Sequence, residues 1–417
     1  MILNRRSRKS HGDIMNDNSD DDDGTDNKLR QKGQTEMKHR ILSLYLKPWI
    51  RKVSNVHSNL LFVDGFAGSG IYPDGTRGSP LIAMDVADEV LSENESVSNR
   101  VEEFNCIFVE KDEDYYKRLE ESTKTREKEV DSRINTKCIH TKFQDWGPEF
   151  IEEHQDTALP PAVIFIDPFG YRDIPFELLA DIFSLRDRNL ELLINLMAGK
   201  IAPWVNDSTK EQTITNTLGT RSWREVVGPL GKDERAEAIC NIYERQWKSK
   251  VNADFTMSFE MMEEGKSQIC YYLVHVTNHL DGLKVMKETM YNAGADDEYA
   301  YRGPEHAGFE DNQLSFTKFG ETEELEERIR SFALDLHEEY EEETVLFKDL
   351  LKQTLDENVF KTKHYRHAFE ILSSEEGILK VNGGEYTRTN NVSCSEDDTE
   401  LVFLEKKTEK KTLSDFT

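Results

Sequence analysis

The chain has 417 residues, enough for two or three domains with a sizeable core. Its 81 Asp and Glu against 53 Lys and Arg leave a net charge of −28, a field that opposes non-specific nucleic-acid binding unless there is a local basic patch or strong salt. No apolar run is long enough to span a membrane, and no signal-peptide pattern opens the chain. The five cysteines, Cys106, Cys138, Cys240, Cys270 and Cys394, contain no C-x-x-C pair and read as reduced, mostly buried thiols. A cytoplasmic protein is expected. Its surface acid suits either a salty cytoplasm or an acidic interaction surface.

Residues 1–34 read as a disordered charged tail, basic at Arg5-Arg6-Ser7-Arg8-Lys9 and acidic at Asp20 to Asp23. From Thr35 a helix is expected, with Ile41, Leu44, Tyr45, Leu46 and Trp49 on one face. Pro48 is expected to kink or end it. Lys38, His39 and Arg40 form its basic start, either solvated or lining a site entrance. Leu60 to Val63 is a short apolar run of the buried parallel-strand type, ending at Asp64. Gly65, Gly68 and Gly70 then allow a tight turn that brings backbone close to a ligand. No Gly-Lys-Ser/Thr follows, so this is not a Walker phosphate loop. Ser79-Pro80 reads as an N-cap with proline at the first helical position, opening a helix to about Leu91.

Strands are expected over 104–109, ending at Glu110, over 137–141, leading into Phe143-Gln144-Asp145-Trp146, and over 162–166, ending in Asp167-Pro168-Phe169-Gly170. A helix over 176–183 and a strand over 191–196 follow, and the alternation implies a parallel sheet with right-handed crossovers. Residues 199–265 read as mainly helical, anchored by Trp204, Trp223, Tyr243 and Trp247. A strand over 271–276, a helix over 281–293 and a short strand over 314–317 close the first domain near residue 320. An acidic helix occupies 321–343. In 344–417, one helix opening at Thr344 and a second capped by Thr362 precede a short hairpin, and the chain end reads as disordered. Helix, helix, hairpin is winged-helix order. The second helix carries Lys361, Lys363, His364, Arg366 and His367, which is either a nucleic-acid or protein surface or an ordinary solvated face.

Asp64, Glu110, Asp145 and Asp167 all fall at strand ends, and in a parallel sheet they converge on one crevice. A carboxylate at Glu110 can accept both ribose hydroxyls of an adenosine cofactor, and one at Asp145 an adenine amino group. Gln144 and Trp146 offer a hydrogen bond and a stacking face. Asp167 and the Pro168 carbonyl can accept from an amine and aim its lone pair at a methyl donor. Phe169 or Tyr171 can stack on a planar substrate. The competing reading makes these residues N-caps, surface acids and a proline turn. No Pro-Cys pair occurs, so the thiolate route of cytosine-5 methylation has no evident nucleophile.

The loop DGFAGSG resembles the first motif of class I S-adenosylmethionine-dependent methyltransferases, and Glu110 resembles their second. Asp167-Pro168-Phe169-Gly170 is similar to the Asp-Pro-Pro-Tyr motif of amino-methylating nucleic-acid enzymes, departing at two of four positions. The long Asp64–Glu110 spacing implies an insertion around 71–103. Lys38-His39 with the following Tyr-x-x-x-Trp helix, then VDGFAGSG, GSPLIA, FVEKD, FIDPFG and LINLMAG in that order, resemble the three-Cys-motif partner family, TcmP, over about residues 35–320. The resemblance implies an α/β, Rossmann-like methyltransferase-type domain followed by a winged-helix-like α+β domain. It also implies S-adenosylmethionine as cofactor and a partner protein with three cysteines similar to the iron–sulfur motif of radical enzymes. Gly65, Gly68 and Gly70 would shape the methionine end, with Asp64 and Glu110 beside them, Asp145 at the adenine, and Asp167, Pro168 and Phe169 at the acceptor. Nucleic acid is the preferred acceptor. A non-catalytic partner that docks on the three-cysteine protein and a metal-dependent nuclease using the clustered acids stand as alternatives. The nuclease lacks an Asp/Glu-x-Lys pattern beside the strand ends.

Overall fold

The structure, a computed structural model, describes residues 26–93, 100–168, 170–172, 174–185, 189–262, 268–294, 300–301, 323–383, 385–386, 392–393 and 396–406. The expected strand over 314–317 and the end of the chain lie outside these residues.

Five strands run parallel: β1 (Asn59–Asp64), β2 (Glu103–Glu110), β3 (Ile134–His140), β4 (Ala162–Ile166) and β5 (Leu190–Leu196). β4 and β5 are buried at every residue, as expected of central strands covered on both faces. β6 (Phe255–Met262) and β7 (Ile269–Thr277) complete the far side, and β8 (Ala300–Tyr301) adds a short edge. β7 is antiparallel to both β5 and β6, so β6 again points with the first five. The order is β3-β2-β1-β4-β5-β7-β6-β8. This is a Rossmann-like sheet of the class I methyltransferase type, with its direction of build-up reversing between β1 and β4. That switch point opens a crevice at the carboxyl ends of the strands.

α1 (Asp26–Val53) begins well before Thr35, on a sequence rich in Lys, Arg and Gln that favours helix. Pro48 lies inside it and does not end it. An internal proline costs about 3 kcal/mol, and tertiary anchors on both sides of it offset that cost. The Tyr45 hydroxyl donates to Glu191 Oε2, and Trp49 Nε1 donates to Glu191 Oε1 at 3.0 Å. His275 Nε2 lies 2.9 Å from Glu191 Oε2. Burial pushes the Glu191 carboxyl up, but its bonds with His275 and Tyr45 outweigh this and hold it below the usual range. Glu191 thereby ties α1 to β5 and β7 inside the core.

α2 (Ser79–Glu93), α3 (Glu113–Glu127), α4 (Phe143–His154) and α5 (Phe176–Phe183) are the crossover helices. Beyond β5, residues 198–251 form α6 (Ala198–Ile201), α7 (Glu211–Leu218), α8 (Trp223–Val227) and α9 (Arg235–Val251). The expected helical stretch ends there, because 255–262 is β6. Phe255, Met257, Phe259 and Met261 point inward, and their alternation with Thr256, Ser258 and Glu260 is a period of two that the sequence itself carries. Trp223, Tyr243 and Trp247 are buried, but Trp204 is 46% exposed and is no packing anchor.

α10 (Leu280–Ala293) follows β7. The C-terminal part is α11 (Glu323–Tyr340), β9 (Thr344–Leu346), α12 (Phe347–Thr354) and α13 (Thr362–Glu370), then β10 (Leu379–Asn382), β11 (Glu385–Tyr386), β12 (Val392–Ser393) and β13 (Glu400–Phe403). Thr344 to Leu346, expected to open a helix, is a strand, and the N-cap of α13 is Lys361 instead of Thr362. A three-stranded antiparallel sheet in the order β10-β13-β9 packs with these helices.

This part is fixed to the large sheet through α10 and β6. Lys287 Nζ donates to the carbonyls of Leu355 and, at 2.7 Å, Asn358. Asp356 accepts from the Thr256 amide at 3.2 Å and pairs with Lys248 at 2.9 Å. The basic face expected on α13 is largely committed to these internal contacts. Lys361 pairs with Glu288 at 3.2 Å and lies 3.6 Å from the centre of the Tyr291 ring. His364 is buried against Tyr291. Arg366 pairs with Glu396, and His367 lies 3.3 Å from Glu326. Lys363 alone of the five is exposed.

Candidate functional site

The crevice is built from strand ends. Asp64 closes β1 and is fully buried. Its Oδ1 accepts from the Phe66 amide at 3.0 Å, while Oδ2 accepts no hydrogen bond from any described residue. Burial pushes this carboxyl up to about 7. The nearby Ser79 hydroxyl and the Phe66 amide oppose the shift, and Asp167 and Glu110 add to it, so three of the four strand-end acids act on one another in one crevice.

The glycine loop is held from both sides, with the Gly65 amide on the Phe165 carbonyl at 2.9 Å and the Ala67 amide on the Val109 carbonyl at 3.0 Å. Gly68 and Gly70 have φ of +60° and +73°, the left-handed region that glycine adopts without strain. A Cβ on Gly70 would come within 2.6 Å of Ser122 Oγ, whereas one on Gly68 would meet nothing within 4 Å. Gly68 therefore presents bare backbone to open space. A Cβ on Gly65 would strike the Phe143 ring at 2.7 Å, so this glycine serves packing between the loop and α4.

Glu110 ends β2 and is nearly buried. Its Oε2 accepts from the Gly68 amide at 2.8 Å and its Oε1 from the Asp112 amide at 2.7 Å. Each carboxylate oxygen keeps a further lone pair for a ligand hydroxyl. Asp145 sits in the first turn of α4, beyond β3, with an exposed side chain. Trp146 beside it is not a stacking face. It is buried, with ring centres 5.6 Å from Phe143 and 4.7 Å from Phe150.

Asp167 follows β4 and meets partners the sequence reading did not assign to it. Lys38 Nζ lies 2.7 and 2.6 Å from its two oxygens, and Asn195 Nδ2 donates to Oδ1 at 2.6 Å. The Tyr271 ring centre is 5.3 Å from the same ammonium. Pro168, next in the chain after Asp167, is buried, Phe169 lies outside the described residues, and Tyr171 is buried and so offers no stacking surface. Of the two expectations for Lys38, solvated or lining a site entrance, the structure favours the second and seats it on Asp167. Asn195 had a signal that went unused, being a lone amide in the apolar strand LELLINL, as Glu191 is a lone acid there.

The insertion after the loop begins as a hairpin, with Ile71 bridged to Arg77 and the Tyr72 amide on the Thr76 carbonyl at 2.8 Å. The Tyr72 ring is half-exposed and 6.0 Å from that of His39. Burial raises its hydroxyl to about 12, with Asp167 and Asp64 adding to the shift, so the phenol end lies in the field of the crevice acids. Burial and then Lys38 push His39 down to about 4, which leaves it neutral at neutral pH.

Among the described residues, no three His, Cys, Asp or Glu side chains are grouped so as to hold a metal ion, and the nuclease alternative has no ligand set there. No helix of these residues is long and apolar enough to cross a membrane.

No protein-family model matches the chain, and no curated protein matches it. Among solved structures it is similar to a protein from Legionella pneumophila (12% identity, TM-score 0.32, covering 57% of this chain and 84% of that one). It is also similar to an O-methyltransferase from Bacillus cereus in complex with S-adenosylhomocysteine (11%, 0.30, 61% and 91%). A third is the plantazolicin methyltransferase, again with S-adenosylhomocysteine (10%, 0.29, 63% and 92%). The strand order and the crevice geometry carry the functional reading, and these distant likenesses add nothing to it.

Proposed function

We propose that the chain binds S-adenosylmethionine in the β1–β2–β4 crevice and is a methyltransferase-like protein. The observation that carries this is the Asp64 carboxylate, buried with no hydrogen bond to Oδ2 among the described residues, beside a Gly68 backbone that faces open space and is clamped by Glu110. A buried unpaired oxygen is costly, and an amino group at the methionine end of the cofactor relieves it. Glu110 would hold the ribose hydroxyls and Asp145 the adenine edge. When bound, the cofactor supplies a methyl group activated on a sulfonium. Asp167, held by Lys38 and Asn195, and the Pro168 carbonyl would receive the acceptor amine.

The ordered motifs support membership in the three-Cys-motif partner family, and with it a three-cysteine partner protein. Nucleic acid remains the proposed acceptor because of the Asp-Pro motif. We assign the winged-helix-like C-terminal part to partner contact instead of duplex reading, because four of the five basic side chains around α13 are engaged internally. A second reading, a cofactor-binding partner that transfers no methyl by itself, is favoured by the ammonium already seated on Asp167.

Calorimetric titration with S-adenosylmethionine is the test. Wild type is expected to bind in the micromolar range, about −8 kcal/mol. Glu110→Ala, shown folded by circular dichroism, is expected to lose that binding. A folded wild type that does not bind at low or high salt ends the cofactor reading. Binding without methyl transfer until the partner is added selects the second reading.

A further inference from the structure

We propose, resting on the reading that Asp167 faces the acceptor, that the Lys38–Asp167 pair makes this seat selective for a neutral amino group on a planar carrier and closes it to cationic amines. A bare carboxylate beside Asp64 and Glu110 would form a negative pocket, and ammonium or guanidinium acceptors would be its natural ligands. The structure has already filled that role from within the chain. Lys38 Nζ reaches both Asp167 oxygens at 2.7 and 2.6 Å, and the two side chains are only 10% and 20% exposed, so solvent screens the pair weakly. Asn195 fixes Oδ1 from β5, and the Tyr271 ring face is near the ammonium. A second cation brought to Asp167 would stand within a few ångströms of Lys38 with little water between them, and like charges at that range repel strongly.

Acceptors for a neutral amine remain. Asn195 Oδ1 is buried and accepts no hydrogen bond from any described residue. Among the described residues Asp167 Oδ2 holds Lys38 alone, which leaves a lone pair for an N–H. The half-exposed Tyr72 ring offers a flat apolar face at the same place, and His39 beside it is neutral and adds no charge. A planar amino-bearing ring, of which a nucleobase is one kind, matches this set. A lysine side chain or a polyamine does not.

The acceptor need not be known to test this. Sinefungin carries an amine where S-adenosylmethionine carries the methyl, so it places a cation at the transfer position, and S-adenosylhomocysteine places nothing there. The ratio of their dissociation constants, measured by calorimetry within each variant, cancels general losses of stability. Wild type is expected to bind sinefungin no more tightly than S-adenosylhomocysteine. Lys38→Met exposes the carboxylate, and sinefungin should gain about tenfold on S-adenosylhomocysteine. Asp167→Asn leaves Lys38 without its counter-charge, and sinefungin should lose ground. The proposal is overturned if wild type already prefers sinefungin by about tenfold or more, or if the ratio is unchanged in whichever of the two variants folds. Failure of folded wild type to bind either compound is a different result: it removes the cofactor reading, and this proposal with it.

Discussion

At the scale of single residues, each carboxylate of the crevice is defined by what it already holds. Glu110 holds two backbone amides and Asp167 an ammonium and an amide, while Asp64 holds one amide, has the Ser79 hydroxyl nearby, and keeps Oδ2 without a hydrogen bond among the described residues. The folded-state value of Asp64, about 7, is above the ordinary 3.8. Between these values the folded chain keeps a proton that the unfolded chain has lost, so stability falls as pH rises through that window. Asp64→Asn should remove this dependence and gain on wild type by up to about 4 kcal/mol between pH 4 and 7 in denaturant titrations. Cofactor binding through an amino group at Oδ2 favours the charged carboxylate. It should therefore release protons near neutral pH and tighten as pH rises towards 7. Calorimetry in buffers of different ionisation enthalpy reads this directly, and binding with no proton release removes Asp64 from the ligand.

At the scale of elements, α1 and α13 show how tertiary contacts override local expectation. Pro48 fails to end α1 because Tyr45 and Trp49 are both bonded to Glu191. The basic residues of α13 read as a binding surface in sequence, yet most of them face α10 and neighbouring acids. Lys287 is the pin of this contact. It is buried on α10 and donates to two carbonyls just beyond the end of α12, and burial pushes its ammonium down to about 7. Lys287→Met keeps the chain length but strands those carbonyls, and should cost about 1–3 kcal/mol. Hydrogen exchange should show protection lost first in α12 and α13. Uniform loss across the sheet would instead mean that the two parts unfold as one.

At the scale of the whole molecule, the net charge of −28 is a standing self-repulsion. Raising salt from about 0.1 M to 1 M shortens the screening length from about 10 to about 3 Å. The melting temperature should rise, with each kcal/mol gained appearing as roughly 1 °C for a chain of this length. A fall in melting temperature would mean that surface ion pairs such as Arg126 with Asp85 and Asp88 outweigh the repulsion. The same titration tests the salty-cytoplasm reading of the composition.

The sequence by itself determined the order of strands and crossover helices through β5, the glycine loop, and the acids at the strand ends. Each of these is a local signal, whether a short apolar run, a turn that only glycine makes, or a polar residue where burial stops. The period of two in β6 was also present, in Thr256, Ser258 and Glu260 alternating with Phe255, Met257, Phe259 and Met261, but the helical reading of 199–265 passed over it; the strand at 344–346 is too short to signal itself. Only the tertiary structure decided which partner each charge meets. Lys38 is 129 residues from Asp167 and Tyr45 is 146 from Glu191, and no local pattern encodes a contact across such a separation. The acids of the crevice were legible because strand ends announce themselves. The ammonium that neutralises one of them was not, because its place is fixed by how α1 crosses the sheet.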